Sequence, residues 1–374
     1  PGLAGHVQWS HHNSGFLLLV RGKLRLGRPA RAPAGLNPRA AMSPWPTLQI
    51  TTAHGPSRAV APYVISASRA TDIPAFHVRW LLERLRAGYC LWRNPFNAGQ
   101  GQYVSFERCR LLVFWSKNPL PLLPHLSEIE DYGFKDYFQF TLNNYEAEGL
   151  EPGLPPLEQR LETFCRLSER LGRQRVIWRW DPLLLAAQLP PEALLERLDA
   201  LGRRISPYTD KLVISFLDMY LKIRSRLAAH TTVPRAPSEA EMLALAQGLA
   251  RRNAAWPHPL ALSTCAEALN LSALGIASNA CVDPALVSRL CPDDAEIQRF
   301  CGLDPTRASL LPASRPGKAA KDPSRRKHCQ CLPAKDIGAY STCAHACVYC
   351  YANQSQAVVR ARLLSRRPGA ESLI

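Results

Sequence analysis

Leu111-Leu112-Val113-Phe114-Trp115 is an unbroken apolar run, and Ser116-Lys117-Asn118-Pro119 follows it directly. A strand that is apolar on both faces suits a parallel sheet covered on each side by other elements. The polar stretch behind it marks the strand's carboxyl end, where helix caps and ligand-binding groups collect. The same pattern recurs along the chain. Tyr63-Val64-Ile65-Ser66, Tyr137-Phe138-Gln139-Phe140-Thr141, Val176-Ile177-Trp178-Arg179, Leu212-Val213-Ile214-Ser215-Phe216 and Leu260-Ala261-Leu262-Ser263 are further β-rich runs. Helical periodicity lies between them, from Ala75 to Arg86, Pro156 to Leu171, Pro191 to Leu201 and Ser238 to Arg252. The last two open on Pro-Glu and Ser-Glu, as helix N-termini often do. Strands alternating with helices predict an α/β fold, a TIM-like or partial (βα)6–8 barrel.

The polar stretches behind these strands are Ser66 to Asp72, Trp115 to Pro119, Thr141 to Tyr145, Arg179 to Pro182, Ser215 to Asp218 and Ser263 to Glu267. In a βα barrel all of them meet at one rim, where active sites are built. Single clusters of this kind are ordinary helix caps; six in register point to a shared functional rim. Arg69, Asp72, Lys117, Asn118, Arg179 and Asp181 are the candidate catalytic and substrate-binding residues. The three cations among them suit an anionic group such as phosphate, on a small-molecule or nucleic-acid-derived substrate.

The chain's most chemical feature is Cys343-Ala344-His345-Ala346-Cys347-Val348-Tyr349-Cys350, spaced C-x3-C-x2-C with an aromatic residue before the last cysteine. Three thiolates so close together can hold three irons of a [4Fe–4S] cluster and leave the fourth open to another ligand. Structural zinc, the plainer reading, usually takes four ligands in C-x2-C pairs. His345, inside the loop, is read as a supporting donor and Tyr349 as a cofactor neighbour. Cys329-Gln330-Cys331 is a weaker signal; with Cys265 and Cys281 it would make a second metal site if the four converge, either a [4Fe–4S] cluster or zinc. The remaining Cys90, Cys109, Cys165, Cys291 and Cys301 are scattered and read as small buried hydrophobes.

Composition sets bounds on the rest. The chain has 374 residues, 47% of them hydrophobic, with a formal net charge of +16 and twelve cysteines. The charge sits at the ends: residues 1–60 carry seven basic residues and no acid, residues 304–374 twelve against four, and the body 27 against 26. Basic ends attract phosphates, although solvated arginine-rich tails are the commoner case. Gly15-Phe16-Leu17-Leu18-Leu19-Val20 is too short to span a bilayer and has no cleavage site behind it. A cytoplasmic protein without membrane contact is expected, in which clustered thiols favour metal over disulfides. The expected order is a disordered basic extension over 1–60 (with Met42 as a candidate start), a barrel-like domain over 61–303, a linker over 304–328, a cysteine segment over 329–354 that completes the barrel, and a tail over 355–374.

Four stretches together resemble a known bacterial family. They are Ile65 to Phe76 (ISASRATDIPAF), Arg93-Asn94-Pro95-Phe96-Asn97, Trp115-Ser116-Lys117-Asn118-Pro119 and Asp336-Ile337-Gly338-Ala339-Tyr340. The family is the domain of unknown function 1848, and the resemblance runs from about residue 61 to 354. Its C-terminal cysteines are similar to the triad of radical S-adenosylmethionine (SAM) enzymes, most closely the spore-photoproduct-lyase type. That resemblance implies that Cys343, Cys347 and Cys350 ligate a [4Fe–4S] cluster. SAM would chelate the open iron, and an electron donor protein would drive its cleavage to a 5′-deoxyadenosyl radical. In radical SAM enzymes the triad follows the first barrel strand, whereas here it comes last. A circularly permuted radical-SAM-like barrel, with Lys335 to Tyr340 as the strand leading into the cluster loop, reconciles the two. No Gly-Gly-Glu run is present to hold the SAM amino group, and Asn118, Asn143 or Asp181 would take that part. The rival expectation is a non-catalytic iron–sulfur or zinc protein acting in nucleic-acid binding or redox sensing.

Overall fold

The computed structural model describes residues 45–303 and 328–374. The basic extension up to residue 44, and residues 304–327 of the linker expected over 304–328, lie outside the described residues. In chain order the first elements are β1 (Thr47–Thr52), β2 (Gly55–Val60), β3 (Val64–Ser66), α1 (Ile73–Phe76), α2 (Val78–Ala87), β4 (Tyr89–Asn94), β5 (Asn97–Ser105) and β6 (Leu111–Ser116). Then come α3 (Leu126–Asp131), β7 (Lys135–Thr141), α4 (Leu157–Leu171), β8 (Val176–Leu183), α5 (Pro191–Ile205), β9 (Lys211–Phe216), α6 (Leu221–Ala228) and α7 (Glu239–Asn253). The last are β10 (Ala261–Thr264), β11 (Ala277–Ser278), α8 (Pro284–Leu290), α9 (Ala295–Phe300), β12 (Lys335–Asp336) and α10 (Gln356–Leu364).

Eight strands form one sheet in the order β11-β10-β9-β8-β7-β6-β3-β12. Every pairing in it is parallel. The sheet is open, with β11 and β12 at its edges, so the expected barrel is not closed among the described residues. What stands is an α/β fold around a large parallel sheet.

Period-two alternation divides this sheet into two apolar faces. Ile65, Leu112, Phe114, Phe138, Phe140, Trp178 and Ile214 pack into a core shared with Leu81 of α2, Leu161 of α4, Leu198 of α5 and Leu245 of α7. Val64, Leu111, Val113, Tyr137, Ile177 and Val213 pack into a second core, which also holds Leu286 and Val287 of α8, Ile297 of α9, Cys331 and Leu332. Both faces are covered, which is why the strands read as continuous apolar runs rather than alternating ones. Helix ends follow local chemistry. Ser238 and Glu241 form a reciprocal capping box at the start of α7, and Gly88 ends α2 in the left-handed region at φ 77°.

Three expectations change here. Residues 47–60, expected within the disordered extension, form the antiparallel pair β1–β2, which joins β5 and β4 in a second sheet of order β1-β2-β5-β4. The tail beyond Asn353 does contain the expected helix, α10, but its end is docked rather than disordered. Leu373 is buried, Glu371 accepts hydrogen bonds from Tyr89 (2.5 Å) and Tyr103 (3.1 Å), and Trp80 donates to the Ala370 carbonyl (3.0 Å). Of the scattered cysteines, Cys90, Cys109, Cys291 and Cys301 are buried as expected, whereas Cys165 is half-buried. No helix among the described residues is long and apolar enough to cross a membrane.

Candidate functional site

The carboxyl ends of the central strands meet along one edge, joined by a continuous polar network. Asp72, behind β3, caps α1 through the Ala75 amide (3.0 Å) and accepts from Ser116 Oγ and the Lys117 amide, both at 2.8 Å. Its remaining contact is His345 Nε2 at 2.7 Å, inside the cysteine loop. Through these contacts Asp72 ties α1, β6 and the cysteine loop together. Lys117, behind β6, reaches Glu151 (2.7 Å) and the Tyr349 hydroxyl (3.0 Å). Asn143, behind β7, donates to Glu151 (3.2 Å), Tyr349 (3.1 Å) and the Asp181 carbonyl (3.1 Å), and accepts from the Asp181 amide (3.1 Å). Asp181, on β8, pairs with Arg179 (2.5 Å) and accepts from Ser215 of β9. The Phe216 amide then donates to Glu267 behind β10 (3.0 Å).

Charge is held in this network by mutual pairing. Burial alone would discharge Lys117, but Glu151, Cys347 and Asp181 outweigh it and raise its pKa. Burial likewise works against the Glu151 carboxylate, yet Lys117 lowers its pKa on balance. Asp181 follows the same pattern, burial being overcome by Arg179. The Tyr349 hydroxyl, which donates to Glu151, is pushed well above its usual range by burial and then by Glu151. The expected anion-binding trio is therefore already engaged: Lys117 by Glu151, Arg179 by Asp181, and Arg69 by the face of Trp115 (5.5 Å) and the Ala334 carbonyl (3.4 Å).

The cysteine loop is built onto this edge. Its lead-in, β12, adds in parallel beside β3, where Asp336 accepts from Ser66 Oγ (2.7 Å) and the Arg69 amide (2.8 Å). A side chain at Gly338 would strike Ser68 Oγ at 1.9 Å, so only glycine allows the loop to pass there. Gly153 works similarly from the opposite wall: a Cβ there would lie 2.5 Å from the Ala344 carbonyl oxygen. The loop is fixed by the Gly153 amide to the His345 carbonyl (3.0 Å), the Val348 amide to the Leu150 carbonyl (2.9 Å), and the Ser341 amide to the Ala352 carbonyl (3.1 Å). His77 donates to the Thr342 carbonyl (3.0 Å), Asn353 to that of Cys343 (2.8 Å), and Arg226 to that of Cys350.

Within the loop, Cys347 is buried while Cys343 and Cys350 are half-buried. Cys347 experiences the charge of Lys117, Glu151, Cys343 and Cys350, so the three sulfurs and the Lys117–Glu151 pair share one neighbourhood. Burial pushes the Cys343 thiol up to about 12 and that of Cys347 well above its ordinary range. Among the described residues, no three or more His, Cys, Asp or Glu side chains are already arranged to hold a metal ion. The donor set nevertheless fits an iron–sulfur cluster in chemistry: three thiols on one anchored loop, with a buried ammonium to offset thiolate charge. Asn118 Oδ1 is a buried acceptor and Arg179 Nε a buried donor, each without a hydrogen-bond partner among the described residues.

The second expected set also comes together. Cys265, Cys281, Cys329 and Cys331 meet at the other core, and Arg179 touches them through Cys281. Sequence reasoning missed Glu151, the carboxylate that Lys117, Asn143 and Tyr349 share. The available signal was an acid framed by turn formers in Gly149-Leu150-Glu151-Pro152-Gly153. His77 was missed as well; burial, helped by Arg366, lowers its pKa to about 3, so its neutral ring donates to the loop.

A family model described as a domain of unknown function (DUF1848) matches residues 64–352. No curated protein and no solved structure matches the chain.

Proposed function

The chain belongs to the DUF1848 family, and from that footing we propose that it is an iron–sulfur enzyme of radical SAM type. Cys343, Cys347 and Cys350 would hold a [4Fe–4S] cluster with one iron open to SAM. The observation that carries this reading is the placement of the triad: three cysteines on an anchored loop, directly behind an edge strand, facing the polar ends of the neighbouring strands.

Topology supports it. Counted from β12, the sheet runs β12-β3-β6-β7-β8-β9-β10-β11, so the last strand in sequence is the first in space. The cysteine loop then follows the leading strand of an open, circularly permuted βα half-barrel, the position that the resemblance to radical SAM enzymes implies.

The chain's own residues take these parts. Lys117, kept charged by Glu151, balances thiolate charge at Cys347. Asp72 and His345 fix the loop against α1 and β6. Of the three residues expected to take the part of a Gly-Gly-Glu run, Asn143 and Asp181 are committed to the network. Asn118 keeps a buried acceptor oxygen suited to an amino group. When bound, the cluster supplies the electron that cleaves SAM. The remaining edge, towards Arg69, is read as the side of a small anionic substrate. A cytoplasmic protein served by an electron donor completes the proposal.

The test is anaerobic reconstitution of the full chain with iron and sulfide, followed by SAM and dithionite. The expected result is 5′-deoxyadenosine from the wild type and none from Cys347→Ala. A fully loaded cluster that yields no 5′-deoxyadenosine ends the enzymatic reading.

A further inference from the structure

The strongest unassigned feature is the meeting of Cys265, Cys281, Cys329 and Cys331. They come from three separate stretches: the end of β10, the loop behind β11, and the segment leading into β12. Sγ of Cys265 and Sγ of Cys281 lie 3.5 Å apart. The Cys331 thiol adjoins those of Cys281 and Cys329, so the four sulfurs form one contiguous row. The site is enclosed, with Cys281 and Cys331 buried and Cys265 and Cys329 half-buried.

Four N–H groups converge on two of these sulfurs. Cys281 Sγ accepts from Arg179 (3.0 Å) and Asn279 Nδ2 (3.3 Å), and Cys331 Sγ from the amides of Cys281 (3.1 Å) and Val282 (3.4 Å). A neutral thiol is a weak acceptor and calls for no such set of donors. Thiolates bound to a metal do, since supporting N–H groups spread the negative charge and orient the ligands. Arg179 is also buried, so its guanidinium is a cation placed where an anionic four-thiolate site needs one.

We propose that Cys265, Cys281, Cys329 and Cys331 bind a single zinc ion in a closed tetrahedral site. The close approach of one sulfur pair favours zinc over a second iron–sulfur cluster. Four sulfurs at about 2.3 Å from one ion stand roughly 3.8 Å from each other. The 3.5 Å between Cys265 and Cys281 matches that separation. Ligands of a cluster sit on different irons and stand much farther apart. Because the four sulfurs now form a row, binding requires side-chain rotations that enclose the ion and releases the thiol protons. With every coordination position taken by the protein, the role is structural: the ion staples the strand ends of β10 and β11 to the lead-in of β12, and so to the loop carrying the triad.

The full chain, purified anaerobically without added metal, provides the test by metal analysis and zinc-edge X-ray absorption. The expected result is about one equivalent of zinc per chain with four sulfurs at about 2.3 Å. Cys281→Ser and Cys331→Ser should lose that zinc, whereas Cys347→Ser should keep it. Arg179→Leu should weaken zinc binding by about tenfold or more through the lost support of Cys281. The absorption measurement on the wild type stands even where a serine variant does not fold. Absence of zinc, a shell containing nitrogen or oxygen, a Cys265–Cys281 disulfide, or iron that follows these cysteines instead of the triad would each overturn the assignment. Zinc content is read independently of SAM turnover, so this proposal and the enzymatic one can fail separately.

Discussion

The two cysteine groups use the same donor atom in opposite settings. In the triad, Cys343 and Cys350 remain half-buried on a loop held through its backbone, and Cys347 lies beside an ammonium, a carboxylate and a phenol. In the quartet the sulfurs touch one another, and N–H groups close around them. The first arrangement sets three sulfurs beside polar side chains, and the second sets four sulfurs against one another. The lesson is that ligand count and wall chemistry, not cysteine content, are what the two proposals rest on.

The comparison is broken most severely by removing a ligand. Cys347→Ala should abolish cluster binding and SAM cleavage while leaving zinc in place, as read by iron and zinc analysis. Next in size is the charge pair beside the triad. Glu151→Gln strands Lys117 as a buried, uncompensated charge, which should cost about 3–5 kcal/mol of stability in urea unfolding. Replacing Lys117 by Met in the same protein should recover much of that loss.

Acid should loosen the triad side as well. His77 has its pKa lowered to about 3 in the folded chain, against 6.5 unfolded, chiefly by burial and then by Arg366, with Asp72 opposing. Its unfolded form therefore binds the proton more readily, and its contribution to stability is complete above pH 6.5 and lost as the pH falls towards 3. By pH 5 the loss should be about 2 kcal/mol. His77→Asn should flatten the slope of stability against pH over that range.

A gentler probe is Gly153→Ala. The added Cβ meets the backbone of Ala344 and His345, which must shift. Roughly 1–3 kcal/mol of stability should be lost, together with part of the bound iron but none of the zinc. The smallest effect belongs to Cys165→Ser, half-buried on α4 and outside both groups. It should change neither metal, and stability by less than about 0.5 kcal/mol.

Much of the fold was legible because the central strands are buried on both faces. Leu111 to Trp115 and Val176 to Arg179 announce themselves by apolar runs, and the polar residues behind them do meet at one edge. The second sheet was not legible. β5 carries Gly99 and Gly101 and is largely exposed at its start, so no alternation betrays it. The docked tail was hidden for another reason: Glu371 and Leu373 gain their places from β4, β5 and α2, partners remote in sequence. At the site, the three cysteines of the loop stand out by their spacing in the sequence. The quartet could be named only as a condition, since Cys265, Cys281 and Cys331 meet only after the sheet has formed. Glu151 was missed because its three partners arrive from separate strand ends and from the cysteine loop.

The most direct test of an open triad beside a closed quartet is the electron paramagnetic resonance spectrum of the anaerobically reduced protein, recorded with and without SAM. The expected result is a [4Fe–4S] signal that changes when SAM is added and is absent from Cys347→Ala. A protein without iron, or a signal indifferent to SAM, would contradict it.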